Sequence, residues 1–366
     1  MTIAADLSNF AFSAAGVNTG GFTMRNKIIN GAMVIDQRNG GASVSPVDTA
    51  YTLDRWQVKQ NAGVKFSVQQ NAGSVTPPDG YKNYIGCTSL SAYSVGASDI
   101  YSFRQCIEGY NVVDLAWGTA SAAAVTLSFW VRSSLTGIFG ASIFNYNGTR
   151  SYPFSYTISS ANTWEQKTIT IAGDTSGTWG TDNTTGTFVS FSLGSGSSRS
   201  GTAGSWVGSY VTSVTGATSV VGTNGATFYI TGVQLEKGTS ATPFEYRNYQ
   251  QELAMCQRYY CKTFDIGTAP GNNVSTAGAF MLGNSASNYE PSVTWRFPVE
   301  MRTAPSITLY NPETGTAGQW SAGGGSTSSN ARSLFIGSSS AVLDNTDVTL
   351  GGSNGWRIHA AASAEL

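Results

Sequence analysis

FYITGVQLEKGTSATPFEYRNYQQELAMCQRYY, residues Phe228–Tyr260, decides how this chain divides. Its first part has strand periodicity. Phe228 and Ile230 share one face, as do Val233 and Leu235, because side chains alternate with period two. The two pairs are out of phase by one residue. An extra residue at Gly232 restores the register, so the spacing predicts a β-bulge there. Gly238, Thr239 and Ser240 then make a turn, and Pro243 holds the next residues extended. Beyond it Tyr246, Tyr249, Leu253, Cys256 or Gln257, and Tyr260 recur at helical spacing. The stretch therefore predicts a strand ending one domain and a helix opening the next.

Working outward from it, residues 27–244 read as one β domain. Ile28-Ile29 and Met33-Val34-Ile35 around Gly31 predict a first strand with a bend. Leu53, Trp56 and Val58, then Val64, Phe66 and Val68, predict two more. Val125, Leu127, Phe129 and Val131 alternate over the longest run, with Trp130 opposite. Ile169 and Ile171 mark another strand. Phe188, Ser190 and Ser192 oppose Val189, Phe191 and Leu193. Turn signals such as Asn39-Gly40-Gly41, Pro77-Pro78-Asp79-Gly80 and Asn147-Gly148 separate these runs. Many short strands predict an all-β jelly-roll sandwich. The Gly/Ser/Thr-rich residues 176–225 enclose apolar strand positions and read as long loops of that domain. A linking helix over 245–262 leads to a smaller C-terminal β domain over 263–366. Residues 1–26 cannot build a core alone; Leu7, Phe10 and Phe12 are its anchoring candidates.

Composition supports this and excludes much else. Charged residues are 11% of the 366, against about 25% in ordinary soluble proteins. Glycine numbers 43, and 12% of the chain is aromatic, a balance suited to a turn-rich exposed β protein. The net charge is -1, and no Lys/Arg cluster suggests nucleic acid as a partner. No apolar run reaches membrane-spanning length. No signal-peptide pattern opens the chain, so synthesis in a cytoplasm is expected. Cys87, Cys106, Cys256 and Cys261 form no metal-binding spacing and read as free thiols, with a Cys87–Cys106 bridge as the alternative. No metal and no cofactor are expected.

Two resemblances add to this reading. Gly232-Val233-Gln234-Leu235-Glu236, Ala241-Thr242-Pro243-Phe244-Glu245, Arg247, Glu252-Leu253 and Cys256-Gln257-Arg258-Tyr259-Tyr260 together resemble a signature of tailed-bacteriophage tail-fibre and related virion surface proteins. RTAPSITLYNPETGTAGQW and RIHAAASAEL resemble the C-terminal part of such fibres. Ser128–Ser134 (SFWVRSS), Thr163–Gly173 (TWEQKTITIAG) and FYITGVQLEKG are similar in order to jelly-roll carbohydrate-binding modules, in which the residue matching Trp164 opens an edge strand. The phage resemblance implies a virion location, anchoring through the N-terminus to other phage structural proteins, and a homotrimer. It also implies a short tail fibre that binds the host, with a head fibre or capsid decoration protein as the alternative. A secreted carbohydrate-binding module and a glycan-cleaving spike are the remaining readings.

No catalytic constellation stands out. His359 is the only histidine, and its expected place is a surface or edge strand. Most Asp residues stand in turn contexts such as Asp79, Asp174 and Asp182, so no enzymatic role is expected. Sugars present C–H faces that stack on aromatic rings, so aromatic residues in loops are the ligand-binding candidates: Tyr146, Tyr152, Trp179, Trp206, Tyr310, Trp320 and Trp356. The alternative for each is packing beneath a loop. Tyr246, Tyr249, Leu253, Tyr259 and Tyr260 wrap several faces of the expected helix and are candidates for domain or subunit packing.

Overall fold

A computed structural model describes residues 24–271, 276–282, 290–323, 326–346 and 355–366. Leu7, Phe10 and Phe12 lie outside the described residues. The body contains β1 (Tyr51–Leu53), β2 (Trp56–Gln60), β3 (Phe66–Gln70), β4 (Ile85–Ser89), β5 (Ile100–Glu108), β6 (Val125–Ser133) and β7 (Gly137–Asn145). It continues with β8 (Ser151–Ile158), β9 (Glu165–Ile171), β10 (Thr185–Ser195), β11 (Ser200–Gly201), β12 (Ser213–Val214) and β13 (Thr227–Lys237). One sheet runs β1-β2-β5-β10-β7-β8 and the other β3-β4-β13-β6-β9. Every pairing within these two sheets is antiparallel. The molecule is thus an all-β sandwich of jelly-roll type, followed by a helix and a smaller β domain.

The alternation seen in sequence sets the faces. Val125, Leu127, Phe129 and Val131 of β6 are fully buried against Phe103, Phe139 and Phe191 of the facing sheet. Phe129 meets Phe191 edge-on at 5.0 Å, a favoured aromatic geometry. Strand β13 is central in its sheet, between β4 and β6. Its partner on β6 shifts between Thr231, opposite Trp130, and Gln234, opposite Ser128. Gly232, at φ +60°, supplies the extra residue. A bulge there is the one predicted from the phase slip.

Residues 28–35 differ from expectation: they form no strand. Their backbone groups are taken by side chains instead. Gln105 accepts from the Ile29 N–H at 2.8 Å and donates to its carbonyl at 2.8 Å. Asn30 bridges to Ile35 in both directions, and the Asn30 N–H is held by Glu252. Beyond the bulge the segment lies along β13: the Lys27 N–H donates to Leu235 O at 2.8 Å and the Val233 N–H to Gly31 O at 3.0 Å. Gly31 is needed for this approach, because a Cβ there would lie 2.2 Å from Val233 O.

The helix is shorter than expected. α1 spans Tyr249–Gln257, with Asn248 Oδ1 accepting from Gln251 N at 2.8 Å as its N-cap. Residues 244–248 stay extended because the side chains of Glu245 and Arg247 are committed elsewhere, as described below. Only Glu252, Leu253 and Cys256 of α1 are buried, so it packs by one face. Leu253, Cys256 and Tyr259 meet Ile29 and Ile35 there. The tip follows as β14 (Tyr260–Lys262), β15 (Phe280–Leu282), β16 (Ser292–Arg296), β17 (Ser306–Tyr310), β18 (Trp320–Gly323), β19 (Ser326–Ser328), β20 (Ala331–Leu334), β21 (Ser340–Asn345) and β22 (Trp356–Ser363). Strand β22 pairs with β14, β15, β17 and β18, and β16-β21-β20 form a second sheet. Trp295, Leu309, Trp320, Leu343, Trp356 and Ile358 fill the core of the tip.

Body and tip are joined by buried polar contacts. Glu365 receives Arg38 at 2.7 Å and also pairs with Arg55. The Arg55 guanidinium lies over the Tyr259 ring at 3.5 Å. Glu108 of β5 accepts both arms of Arg258, at 2.6 and 3.0 Å, and the Tyr259 hydroxyl at 2.5 Å. Arg302 reaches the carbonyls of Asn183, Ala364 and Glu365. All four cysteines are free and buried. Cys87 and Cys106 stand on different sheets, and burial raises the thiol pKa of Cys106 to about 11.

Candidate functional site

The outer face of the six-stranded sheet carries a solvent-open groove of about 350 Å³, lined by Lys59, Arg104, Phe144, Tyr146, Asn147, Gly148, Phe188 and Tyr210. Each strand contributes through its outward alternation. Lys59 comes from β2, Arg104 from β5, Phe188 from β10 and Phe144 from β7, four neighbouring strands. Phe188 and Phe144 are directly paired in register, so their rings stack at 4.9 Å and 21°. The long loop after β10 crosses this face and lays Tyr210 edge-on against Phe144 at 5.1 Å. Gly148 permits that approach: it has φ +67°, and a Cβ there would meet the Tyr210 ring at 2.9 Å. Tyr146 rises from the β7–β8 turn and is 52% exposed.

Polar groups frame this aromatic floor. The Arg104 guanidinium lies 4.9 Å from the Phe188 ring centre, and its Nε donates to Gln57 Oε1 at 2.6 Å. Arg199 sits over Tyr210 at 5.1 Å. Lys59 pairs with Asp48 at 2.5 Å. An aromatic-lined groove with fixed donors at its edge suits a ring that has one apolar face and several hydroxyls.

The sequence candidates go to different places. Tyr146 belongs to the groove. Tyr152, Trp179 and Trp206 come together elsewhere, around Trp117. The three indoles lie 4.7 to 5.4 Å apart, centre to centre, and Tyr152 meets Trp206 at 5.2 Å. Each indole N–H is spent on a backbone carbonyl: Trp117 on Ala123, Trp179 on Ser176 and Trp206 on Ala172. The bidentate Arg150–Asp174 pair, at 2.6 and 2.7 Å, fixes the loop above them. Tyr152 and Trp179 are buried in this cluster, where packing beneath a loop was the alternative for each, and Trp206 is half-buried at its edge. Trp320 is 0% and Trp356 2% exposed, packed edge-on at 6.3 Å, and Tyr310 stands against Phe264 at 5.7 Å. Trp320 and Trp356 thus serve the tip's interior rather than its surface, whereas Tyr310 is half-buried. His359 is buried in β22, stacked on Phe264 at 3.9 Å with Nδ1 2.8 Å from Thr263 Oγ1, not at a surface or edge.

Among the packing candidates, Leu253, Tyr259 and Tyr260 are buried where body, helix and tip meet. Tyr246 precedes the helix and is exposed, packing with Tyr81 and Phe244 beside a smaller pocket of about 150 Å³. Tyr249 opens the helix and is also exposed. Trp164 immediately precedes edge strand β9, one residue before the expected place, and packs on Tyr84 at 5.4 Å.

The signature residues form a latch. Gln234 Oε1 accepts the Glu245 N–H at 2.8 Å, and Glu236 holds Thr242 through its N–H and hydroxyl at 2.8 and 2.7 Å. Glu245 then accepts the N–H groups of Arg25 and Asn26 at 3.1 and 2.9 Å. Arg247 donates to the carbonyls of Ile28, at 3.0 Å, and Asn26. Its charge is met by Glu245 at 3.3 Å and Glu252 at 3.4 Å. Every polar position of GVQLE…ATPFE.R…E thus helps clamp residues 25–31 beside β13.

No family model matches the chain, and no curated protein matches it significantly. Among solved structures, it is similar to the enzymatically active domain of tailspike protein 4 of bacteriophage CBA120, at 13% identity and TM-score 0.32, over 58% of this chain and 22% of that one. The chain therefore spans about a fifth of that protein's length. It is also similar to the family 11 carbohydrate-binding module of Clostridium thermocellum in complex with a mixed-linked tetrasaccharide, at 13% identity and TM-score 0.29, over 53% and 96%. A third likeness is to TmCBM61 in complex with β-1,4-galactotriose, at 14% and 0.28, over 58% and 99%. At this similarity none of them adds to what the strand pairing establishes. Among the described residues no helix is long and apolar enough to cross a membrane, and no group of three His, Cys, Asp or Glu side chains could hold a metal ion.

Proposed function

We propose that this chain is a glycan-binding adhesion protein of a tailed-phage virion, a short tail fibre whose body engages sugar on the host surface. The groove carries this reading: Phe188, backed by the buried Phe144 and flanked by Tyr146, Tyr210 and Arg104, lines an opening to solvent across four strands. The latch sequence supports the virion assignment through its resemblance to fibre proteins. The groove binds rather than cleaves. Glycoside hydrolysis needs two carboxyl groups roughly 5–9.5 Å apart across the scissile bond, and none of the lining residues is acidic. Weak single-site binding becomes firm attachment when several copies engage together, which suits a trimeric fibre.

The test is binding of the full chain to a panel of soluble oligosaccharides by calorimetry, with Phe188→Ala as comparison. At least one saccharide should bind, and F188A should weaken it at least fivefold without lowering the melting temperature by more than a few degrees. Failure of every saccharide to bind, or equal binding by a folded F188A, overturns the reading.

A further inference from the structure

The charge around the groove narrows the ligand class; this step rests on the glycan-binding reading above. Three cations attend the aromatic floor: Lys59 and Arg104 in the lining, and Arg199 reached through the Tyr210 ring on which it lies. Only Lys59 has a carboxylate partner, Asp48. Among the described residues no carboxylate lies within ion-pair distance of Arg104 or Arg199. Arg104 is instead held by a neutral amide, Gln57, and by a ring face. Arg199 Nε is buried without a hydrogen-bond partner. The site thus keeps a local excess of two positive charges on a chain whose net charge is -1.

Five other arginines are treated differently. Arg38, Arg55, Arg150, Arg247 and Arg258 each face a carboxylate. Among the described arginines of the body, Arg25, Arg104, Arg132 and Arg199 face none; Arg132 lies over Tyr229 away from the groove, and Arg104 and Arg199 are the two that lie over rings of the groove. Guanidinium groups held over rings are partly pre-oriented, so an incoming anion meets them with less rotamer entropy left to lose.

The geometry points to an anionic saccharide as the ligand: a sugar whose ring packs against Phe188, Tyr146 and Tyr210 while its carboxylate or phosphate meets Arg104, with Arg199 adding to the field. Asp48, which pairs with Lys59 and also acts on Arg104, offsets only part of that positive charge. A single-stranded oligonucleotide also pairs stacking rings with anions, but it needs a basic track several nucleotides long, and this excess is confined to one groove.

Calorimetry with tetragalacturonate, its fully methyl-esterified form and galactose 6-phosphate separates the cases. The acid should bind about tenfold tighter than the ester at low salt, a surface-charge effect that shrinks at 0.5 M NaCl. Arg104→Gln should bring the acid-to-ester ratio close to one, and Arg104→Lys should keep a ratio above threefold. Tighter binding of galactose 6-phosphate than of the ester, also lost in R104Q, assigns the anion as phosphate and supports the same inference. If the ester binds the wild-type chain as tightly as the acid and as galactose 6-phosphate do, the anionic class is overturned while glycan binding stands. If an eight-residue oligothymidylate binds tighter than every saccharide, or if acid binding is unchanged in F188A, the inference is overturned as well.

Discussion

Arg247→Met removes the cation at the centre of the latch and keeps the volume of its stem. In the native protein this guanidinium donates to the carbonyls of Asn26 and Ile28 and neutralises Glu245 and Glu252, with its side chain only 3% exposed. Methionine would leave two largely buried carboxylates facing each other without a cation, and two carbonyls without their donor. Breaking a buried pair from one side costs about 3–5 kcal/mol, and the remaining bonds from Arg25, Asn26 and Asn30 N–H groups to those carboxylates do not restore the charge balance. The loss should be local. Lys27, Val233 and Leu235 donate the N–H groups that tie residues 26–31 to β13. Opening made easier by about 3–5 kcal/mol raises their exchange with deuterium by roughly 10²- to 4 × 10³-fold, at about 1.4 kcal/mol per factor of ten. Amides of Phe129 and Phe191, in the sandwich core, should keep native protection as an internal reference. Arg247→Lys keeps the charge but cannot fork to two carbonyls, so it should fall between. A folded R247M protein with native protection at Val233 and Leu235 would refute the latch.

Two further outcomes follow from the body–tip junction. Glu365→Ala leaves Arg55, whose side chain is 1% exposed, without its carboxylate, and should cost about 3–5 kcal/mol in urea denaturation; Glu290→Ala, which breaks a pair more than 40% exposed on both sides, should cost under about 0.5 kcal/mol, and equal effects would contradict the burial argument. Burial raises the Asp54 carboxyl to about 6 from its usual 3.8; a carboxyl that ionises later when folded favours the fold at low pH, so the stability of the wild type minus that of Asp54→Asn should fall by about 3 kcal/mol as pH rises from about 4 to 6 and stay flat above, and a difference that rises across that window would be the opposite sign.

The sandwich was legible wherever alternation was uninterrupted. Val125 to Val131 gave β6 and its inward face, and the phase slip between Ile230 and Val233 gave the bulge. Residues 28–35 misled because their apolar spacing is that of a strand, while the groups that satisfy their backbone, Gln105, Glu252 and Arg247, lie far away in sequence. The loop tryptophans misled for a related reason. Gly- and Ser-rich loops suggest exposure, but Trp179 and Trp206 fold back onto Trp117, and the Arg150–Asp174 pair that holds them there has no local pattern. The groove left one usable trace: Phe188 is an aromatic on the serine side of an alternating strand, opposite the core positions Val189, Phe191 and Leu193. Its partners Phe144, Arg104 and Tyr210 come from three other segments, and only strand pairing brings them together.

The latch also sets an order of events. Residues 25–31 leave the ribosome early, but their partners Glu245, Arg247 and Glu252 lie about 220 positions later. At about 5–20 residues per second the opening segment waits roughly 10–45 s for its clasp. During that interval the edge of β13 beyond the bulge is not yet made, so the last strand of the body and the first described segment must close together. The sandwich is therefore completed only once residues 245–252 are made, by the same residues that begin the connection to the tip.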